Sequence, residues 1–174
     1  MEKNKRLFVL VGIPGAGKST WARTHIDKIS DDVKYVSRDE IRFSIVKEDE
    51  EYFSKENEVF RKFIEEIKDG LINHKDTIAD ATHLNKASRN KLLRSLGESL
   101  KECKINIIVI STPLEIALER NEERKGTRSY VPRGVIRRMK SQYEIPSEEE
   151  GFDKIIFYDE TNPSVQYIII ERDN

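Results

Sequence analysis

The chain has 174 residues, of which 37% are hydrophobic and 36% are charged. This length is sufficient to bury a hydrophobic core, and we expect residues 1–174 to form one domain. No apolar run approaches the ~18 residues that a transmembrane helix needs, which argues against a membrane protein and predicts a cytoplasmic location. The one cysteine, Cys103, excludes an internal disulfide and a cysteine-based metal site, and we expect it to be a small packing residue.

The formal net charge of −1 conceals an uneven distribution of charge along the chain. Residues 120–140 contain eight basic side chains and two glutamates, so this segment has a net charge of +6 and the remainder has −7. A segment that collects positive charge in this way is expected to face an anionic ligand. The alternative is a solvated helical hairpin, which is what most charged runs are.

Apolar, β-branched runs alternate with helical patterns along the chain, which is typical of βαβ units and a parallel sheet. Strands are predicted at residues 7–11, 33–36, 77–79, 105–110, 155–158 and 167–170. Helices are predicted at residues 19–29, 55–73, 87–100, 114–123 and 133–143. The sequence therefore predicts an α/β fold, and it contains no internal repeat or linker.

The first predicted strand is followed by Gly12-Ile-Pro-Gly-Ala-Gly-Lys-Ser19, which matches the phosphate-binding pattern G-x-x-x-x-G-K-[ST]. The glycines at 12, 15 and 17 are expected to let backbone N–H groups turn inward around phosphate oxygens, at the positive end of the next helix. Lys18 is predicted to reach the β- and γ-phosphates of ATP, and Ser19 to ligate Mg²⁺. The predicted nucleotide site comprises Gly12, Pro14, Gly15, Ala16, Gly17, Lys18, Ser19 and Thr20. The alternative is a glycine-rich turn without a ligand.

Asp39 lies just beyond the second predicted strand, at the end of the sheet where α/β proteins bind ligands. A carboxylate at this position could accept the proton of an attacking hydroxyl. Arg42 follows three residues later and, on a helix, could hold an acceptor phosphate beside it. The alternative is that Asp39 caps a helix and Arg42 is solvated, and the spacing alone leaves the two hypotheses even.

Asp80 closes the third predicted strand. An acidic residue at such a position often supports Mg²⁺ or its waters beside the P-loop serine, so Ser19 and Asp80 are the predicted metal site. The alternative is a buried structural aspartate or the cap of the following helix. The three histidines are scattered along the chain and are assigned no chemistry.

The basic segment contains Gly126-Thr127-Arg128-Ser129 between two predicted helices, a composition that suits a mobile lid at about residues 120–134. Closing over ATP, this lid would place guanidinium groups against the charge that develops on the γ-phosphate. Tyr130 and Tyr143 lie near the lid and are candidates for stacking on nucleic-acid bases.

Five motifs occur in order along the chain. They are Gly-x-Pro-Gly-x-Gly-Lys-Ser-Thr-Trp-Ala-Arg (12–23), Ser-Arg-Asp-x-x-Arg (37–42), Asp-Ala-Thr-x-x-Asn (80–85), Glu-Arg-Asn-x-x-Arg (119–124) and Val-Pro-x-x-Val-Ile-x-x-Met (131–139). Over about residues 6–160 the chain resembles the polynucleotide 5′-kinase group of P-loop proteins. The resemblance implies a P-loop NTPase three-layer sandwich with a mostly parallel central sheet and a helical lid.

The resemblance also implies ATP and Mg²⁺ as cofactors and assigns roles to individual residues. Lys18, Asp39 and Arg124 would be catalytic, with Asp39 as the general base. Arg42 and Asp80 would complete the acceptor site with Asp39, and Arg120 and Arg124 would contact the phosphates. The lid has one extra residue around Lys125, so either Arg124 or Lys125 could clamp the γ-phosphate; Arg124 is favoured because it keeps the family's spacing from Arg120.

The leading hypothesis is a kinase that transfers the γ-phosphate of ATP to the 5′-hydroxyl end of RNA or DNA. We expect no phosphatase or ligase module of the kind that repair enzymes of this group carry, so a different hydroxyl is also considered. One alternative is a kinase of a small metabolite or nucleotide. Another is an ATP-binding or ATPase module without an organic acceptor. The sequence does not indicate an oligomeric state.

Overall fold

The computed structural model describes residues 5–162, 164 and 166–171. The strands are β1 (Lys5–Val11), β2 (Val33–Ser37), β3 (Asp76–Asp80), β4 (Cys103–Ser111), β5 (Lys154–Asp159) and β6 (Gln166–Glu171). They form one six-stranded sheet in the order β2-β3-β1-β4-β5-β6. β1 to β5 are parallel and β6 is antiparallel to β5, which confirms a mostly parallel sheet and all six predicted strands.

Six α-helices connect or flank the strands. They are α1 (Lys18–Ile29), α2 (Arg38–Ile45), α3 (Glu56–Asn73), α4 (Lys86–Leu96), α5 (Leu114–Glu122) and α6 (Arg133–Ser141). Five were predicted, and α2 is additional. The helix predicted to continue to residue 100 ends earlier, because Gly97 has a φ of 50° and residues 97–100 form a 3₁₀ turn.

The core lies on both faces of the sheet, which confirms the three-layer arrangement. Successive residues of β1 alternate between the two faces: Val9 belongs to the cluster under α3 and α4, and Leu10 to the cluster under α1, α5 and α6. Burial on both sides explains why the central strands read as continuous apolar runs rather than alternating ones. Cys103 is buried in the first cluster, as predicted.

The candidate site lies at the carboxyl edge of the sheet, where β1, β3 and β2 end side by side. The P-loop follows β1, α2 follows β2, and β3 lies between them and ends at Asp80. The strand order thus brings three segments together that are distant in the sequence. Among the residues described, no helix is long and apolar enough to cross a bilayer.

Candidate active site

The P-loop joins the buried β1 to the first turn of α1. Gly15 has a φ of 81° and Gly17 a φ of 101°, a region that other residues rarely adopt. A Cβ on Gly15 would lie 2.3 Å from the carbonyl oxygen of Ala117, so α5 also excludes a side chain there. Gly12 does not have a positive φ, and its N–H donates to the carbonyl oxygen of Thr82 at 3.1 Å, so this N–H does not turn inward as expected. An added Cβ on Gly12 would lie 3.2 Å from the Cβ of Ala16.

Lys18 folds back over its own loop, and its Nζ donates a hydrogen bond to the carbonyl oxygen of Ile13 at 3.2 Å. Burial lowers the pKa of Lys18, the carboxylates of Asp80 and Asp39 oppose this, and the guanidinium of Arg124 adds to it. The ammonium group therefore lies within electrostatic reach of three other predicted site residues.

Ser19 and Asp80 are in direct contact. The Oγ of Ser19 donates to Oδ2 of Asp80 at 2.7 Å, and the hydroxyl of Tyr35 on β2 donates to the same oxygen at 2.6 Å. A serine hydroxyl beside a carboxylate fits Mg²⁺, which prefers oxygen ligands and retains several waters and substrate phosphates. The described residues contain no group of three or more His, Cys, Asp or Glu side chains that could hold a metal ion. A metal ion at this position would therefore take most of its ligands from water and from the phosphates of the substrate.

Asp39 lies in the first turn of α2, whose N-cap is Ser37. Its Oδ1 accepts hydrogen bonds from Nη1 of Arg42 at 2.6 Å and from the hydroxyl of Tyr52 at 2.9 Å. No other described side chain donates to this carboxylate, and Asp39 is 62% exposed. Oδ2 is therefore available to a ligand. The alternative hypothesis that Asp39 caps the helix is wrong, because the Ser37 side chain has that role.

Arg42 is 5% exposed, so the alternative hypothesis that it is solvated is also wrong. Its Nη2 donates to Oε2 of Glu56 at 2.9 Å while Nη1 holds Asp39, and Arg38 pairs with Oε1 of the same glutamate. The Nε atoms of Arg38 and Arg42 are buried and have no hydrogen-bond partner in the described structure. Arg42 therefore orients Asp39, and Nε is its unused donor.

Most of the predicted residues border one cavity. Its lining includes Pro14, Gly15, Gly17, Lys18, Ser19 and Thr20 on the nucleotide side, together with Asp39, Arg42, Asp80 and Arg124. Gly12, Ala16 and Arg120 are not among the lining residues. Ala16 is buried and its carbonyl oxygen accepts a hydrogen bond from Thr112, so it shapes the loop from behind.

The lid, residues 120–134, runs from the end of α5 to the start of α6. The buried side chain of Asn121 holds its base together, donating to the carbonyl of Val131 at 2.6 Å and accepting from that residue's N–H at 3.0 Å. At the tip, Arg128 donates to the carbonyl oxygens of Phe43 and Val46 at the end of α2. The lid thus contacts the acceptor side of the cavity.

Two lid arginines have different surroundings. Arg120 pairs with Glu160 at 2.8 Å, and Glu160 lies against Gly17, where an added Cβ would be 3.1 Å from its Cγ. Arg124 lines the cavity, whereas Lys125 is exposed and is not among the lining residues. This geometry favours Arg124 over Lys125 as the residue that faces the nucleotide.

Sequence reasoning missed several residues of the site, among them Tyr35, Tyr52, Glu56 and Glu160. Each is distant in sequence from the residue that it contacts, and none lies in a recognised motif. Tyr143, a predicted stacking residue, is half-buried against both core clusters and does not line the cavity, so that prediction is not supported by its position. Tyr130 also lies outside the lining.

The sheet order, the P-loop after β1 and the basic lid after α5 define a protein of the P-loop kinase class. The chain belongs to the AAA domain family, whose model matches residues 7–146. It is 29% identical over 168 residues to the L-seryl-tRNA(Sec) kinase of Methanococcus maripaludis, a match that covers 92% of this chain and 61% of that protein.

Solved structures agree with this classification. A chain of the Pnkp1/Rnl/Hen1 RNA repair complex is 27% identical, with a TM-score of 0.60 over 82% of this chain and 45% of that one, which confirms the resemblance to polynucleotide kinases. Kti12 of Chaetomium thermophilum, in complex with ADP-AlF3, shares the fold at 18% identity and a TM-score of 0.65, over 88% and 89% of the two chains. A gluconokinase of Sinorhizobium meliloti shares it at 15% identity and a TM-score of 0.57, over 94% and 86%. The chain thus spans less than two thirds of the seryl-tRNA kinase and of the RNA repair protein.

Proposed function

We propose that this protein is an ATP-dependent kinase that transfers the γ-phosphate to the 5′-hydroxyl end of RNA or DNA. The observation that carries the proposal is the cavity in which Lys18 and the Ser19–Asp80 pair lie on one side and the exposed carboxylate of Asp39 on the other. A nucleotide site alone would serve any ATPase. A carboxylate across the cavity from it provides a base for an organic acceptor.

On the nucleotide side, the N–H groups of the P-loop and the N-terminus of α1 bind the phosphates, and the ammonium group of Lys18 reaches the β- and γ-phosphates. Ser19 and Asp80 would hold Mg²⁺, which supplies positive charge against the triphosphate. Lys18 would exchange its hydrogen bond with the carbonyl of Ile13 for phosphate oxygens when ATP binds. Arg124 would add a guanidinium from the lid.

On the acceptor side, Oδ2 of Asp39 accepts the proton of the incoming hydroxyl. The oxygen of this hydroxyl attacks the γ-phosphorus in line with the leaving ADP. The bond between the β–γ bridging oxygen and the γ-phosphorus breaks, and a phosphate monoester is formed on the acceptor. Arg42 and Tyr52 fix the carboxylate by its other oxygen, so Oδ2 keeps its orientation. The base is thus oriented before the acceptor binds.

Two observations favour a nucleic-acid acceptor. Arg38 and Arg42 line the cavity beside Asp39, and their positive charge suits an anionic acceptor. The RNA repair chain and the seryl-tRNA kinase, which match this chain over most of its length, are both named for RNA. The gluconokinase shares only the fold, so a small-metabolite acceptor has weaker support.

A transfer assay tests the proposal. Labelled ATP is offered with 5′-OH RNA, 5′-OH DNA, serine-charged tRNA, nucleosides and gluconate, and the label in each acceptor is measured with wild-type protein and with Lys18→Ala as the inactive control. We expect label in the 5′-OH nucleic acids and none with Lys18→Ala. Label only in serine-charged tRNA or only in gluconate would replace the proposed acceptor. Hydrolysis of ATP that no acceptor alters would leave an ATPase module.

A further inference from the structure

Three aromatic side chains form a cluster at the acceptor end of the cavity. The ring centroids of Phe43 and Tyr52 are 6.3 Å apart and those of Tyr52 and Phe53 4.7 Å apart, both in edge-to-face geometry. Phe53 belongs to neither core cluster, and it is 45% exposed although its side chain is large and apolar. It lies in a cleft whose lining includes several charged residues. An aromatic ring with one side supported by a neighbour and the other open to a cavity is a surface for stacking.

The cluster is joined to the proposed base. The Tyr52 hydroxyl bonds Oδ1 of Asp39 at 2.9 Å, and Tyr52 and Phe53 line the same cavity as Lys18. The guanidinium of Arg42 lies 4.5 Å from the centre of the Tyr52 ring and 5.5 Å from that of Phe53. A group stacked on Phe53 would therefore lie next to the position where the acceptor hydroxyl contacts Asp39, its proposed general base.

The lid also contacts the cluster. The guanidinium of Arg128 lies 4.9 Å from the centre of the Phe43 ring, and its N–H groups bond carbonyl oxygens at the end of α2. Arg42, Tyr52 and Phe53 thus line one end of the cavity, and Phe43 and Arg128 adjoin them outside its lining. This combination binds a nucleobase and its phosphate, because each base has a stacking face and each linkage a negative charge.

We propose that Phe53, supported by Tyr52, stacks on the base of the acceptor's terminal nucleotide. The inference rests on the proposed function, whose acceptor it specifies further. Stacking tolerates every base, so no base preference is expected at this nucleotide. In a blunt duplex the terminal nucleobase must first unpair and unstack before it can stack on Phe53. Single-stranded or overhanging 5′-OH ends are therefore accepted better than blunt duplex ends.

Phe53 is the residue to test. Tyr52 is less suitable, because its hydroxyl also donates to Asp39 and its removal would disturb this proposed general base. Phe53→Ala removes the stacking surface, and Phe53→Trp retains one. Ile72→Ala is the matched control, because Ile72 is also a large apolar residue and is 68% exposed. It lies near the end of α3, and its carbonyl oxygen accepts a hydrogen bond from Lys5 at the amino edge of the sheet, away from the cavity. Acceptor KM and ATP KM are measured on single-stranded 5′-OH oligonucleotides with either an intact or an abasic first nucleotide.

We expect Phe53→Ala to raise the acceptor KM by about 5- to 150-fold, the usual effect of one base–aromatic stack, without changing the ATP KM. Phe53→Trp, which retains a stacking surface, should recover most of the acceptor binding that Phe53→Ala loses, and Ile72→Ala should behave as wild type. The abasic end should raise the acceptor KM of the wild type by a similar factor. The acceptor KM of Phe53→Ala should be the same for the intact and the abasic end.

Two outcomes separate this inference from the proposed function. If the wild type phosphorylates oligonucleotides and Phe53→Ala does so with an unchanged acceptor KM, or still distinguishes the abasic end, the stacking surface is wrong and the kinase remains. If the wild type transfers phosphate to no nucleic acid, the proposed acceptor is wrong and the stacking surface with it.

Discussion

Tyr35 and Ser19 both donate hydrogen bonds to Oδ2 of Asp80, at 2.6 and 2.7 Å. Burial raises the pKa of Tyr35, and the adjacent carboxylate raises it further, so its hydroxyl stays protonated and remains a donor. No other described group donates to Asp80, which leaves Oδ1 for a magnesium ion or one of its waters. We therefore expect Tyr35 to position the carboxylate that is proposed to support the metal.

Replacing Tyr35 by Phe tests this role. Loss of a partner that orients a metal-supporting group typically weakens metal binding by 10- to 100-fold, so we expect the Mg²⁺ concentration for half-maximal transfer to rise by at least about tenfold. Saturating Mg²⁺ should restore most of the rate, which a merely unfolded variant would not show. Tyr143→Phe, outside the cavity, should titrate as wild type. An unchanged Mg²⁺ requirement in Tyr35→Phe would contradict the role.

The motif residues could be predicted from the sequence, but their partners could not. Lys18, Ser19 and Asp80 follow from a fixed pattern and from a strand end, which are properties of the local sequence. Tyr35 and Glu56 contact site residues only because the sheet order and the start of α3 bring them there. Glu56 in particular reads as an ordinary helical glutamate, although it bonds two arginines.

Helix α2 was not predicted because its eight residues are too few and too charged to show a clear periodicity. Its start is nevertheless well defined by Ser37, whose side chain accepts from the N–H of Glu40. The same turn presents Asp39 to the cavity. The element that carries the proposed base was therefore the one that the sequence indicated least.

The lid is connected to the nucleotide site through Arg120 and Glu160. The carboxylate of Glu160 lies against Gly17, where the phosphates would bind, and its negative charge opposes theirs. Arg120 must share or leave this ion pair to reach a phosphate. We therefore expect this ion pair to affect the affinity for the nucleotide.

Glu160→Gln removes the charge and keeps the size of the side chain. We expect the affinity for ATP to increase by about 2- to 10-fold, since a like charge near the anion site is lost and Arg120 is released; partly screened charges at such distances contribute on the order of 1 kcal/mol. Titration of ATP at several salt concentrations measures it, and the gain should shrink as salt rises. Glu98→Gln, an exposed site on the 3₁₀ turn after α4, is the control. Weaker ATP binding by Glu160→Gln would show that the pair supports the site instead.

The whole fold was largely predictable, because parallel strands buried on both faces produce long apolar runs and the P-loop marks the first crossover. The sequence did not predict the end of α4 at Gly97, which is set by the local φ of 50°, and it left open whether His83 is solvated or packed, which tertiary contacts decide. His83 has a φ of 43°, is 5% exposed, and its Nδ1 bonds the carbonyl oxygen of Leu10 at 2.8 Å. It belongs to the packing between β1 and the segment after β3.

The stability of the molecule should depend on pH through His83. Burial, with smaller effects from Arg38, Lys18 and Arg89, lowers the pKa of His83 from 6.5 to about 4. Between these values the unfolded chain binds a proton that the folded protein does not, so the free energy of unfolding falls as the pH falls from 6.5 to 4, by about 3 kcal/mol in total.

Urea unfolding of wild type and of His83→Asn across this pH range measures the effect. Asn tolerates a positive φ and does not titrate. We expect the stability advantage of the wild type over the variant to shrink by about 3 kcal/mol as the pH falls from 6.5 to 4. An advantage that is constant with pH would mean that His83 is not buried in its neutral form.

The sheet places the nucleotide loop after β1 and the carboxylate of Asp39 after β2 on either side of Asp80, and the proposed chemistry depends on that arrangement. Single-turnover transfer from ATP to a 5′-OH acceptor by Asp39→Asn, with the ATP affinity of the same protein, tests it most directly. We predict an unchanged ATP affinity and a transfer rate that is lower by roughly 10²- to 10⁴-fold, the usual contribution of a positioned base. Transfer at the wild-type rate would contradict the proposal that Asp39 activates the acceptor.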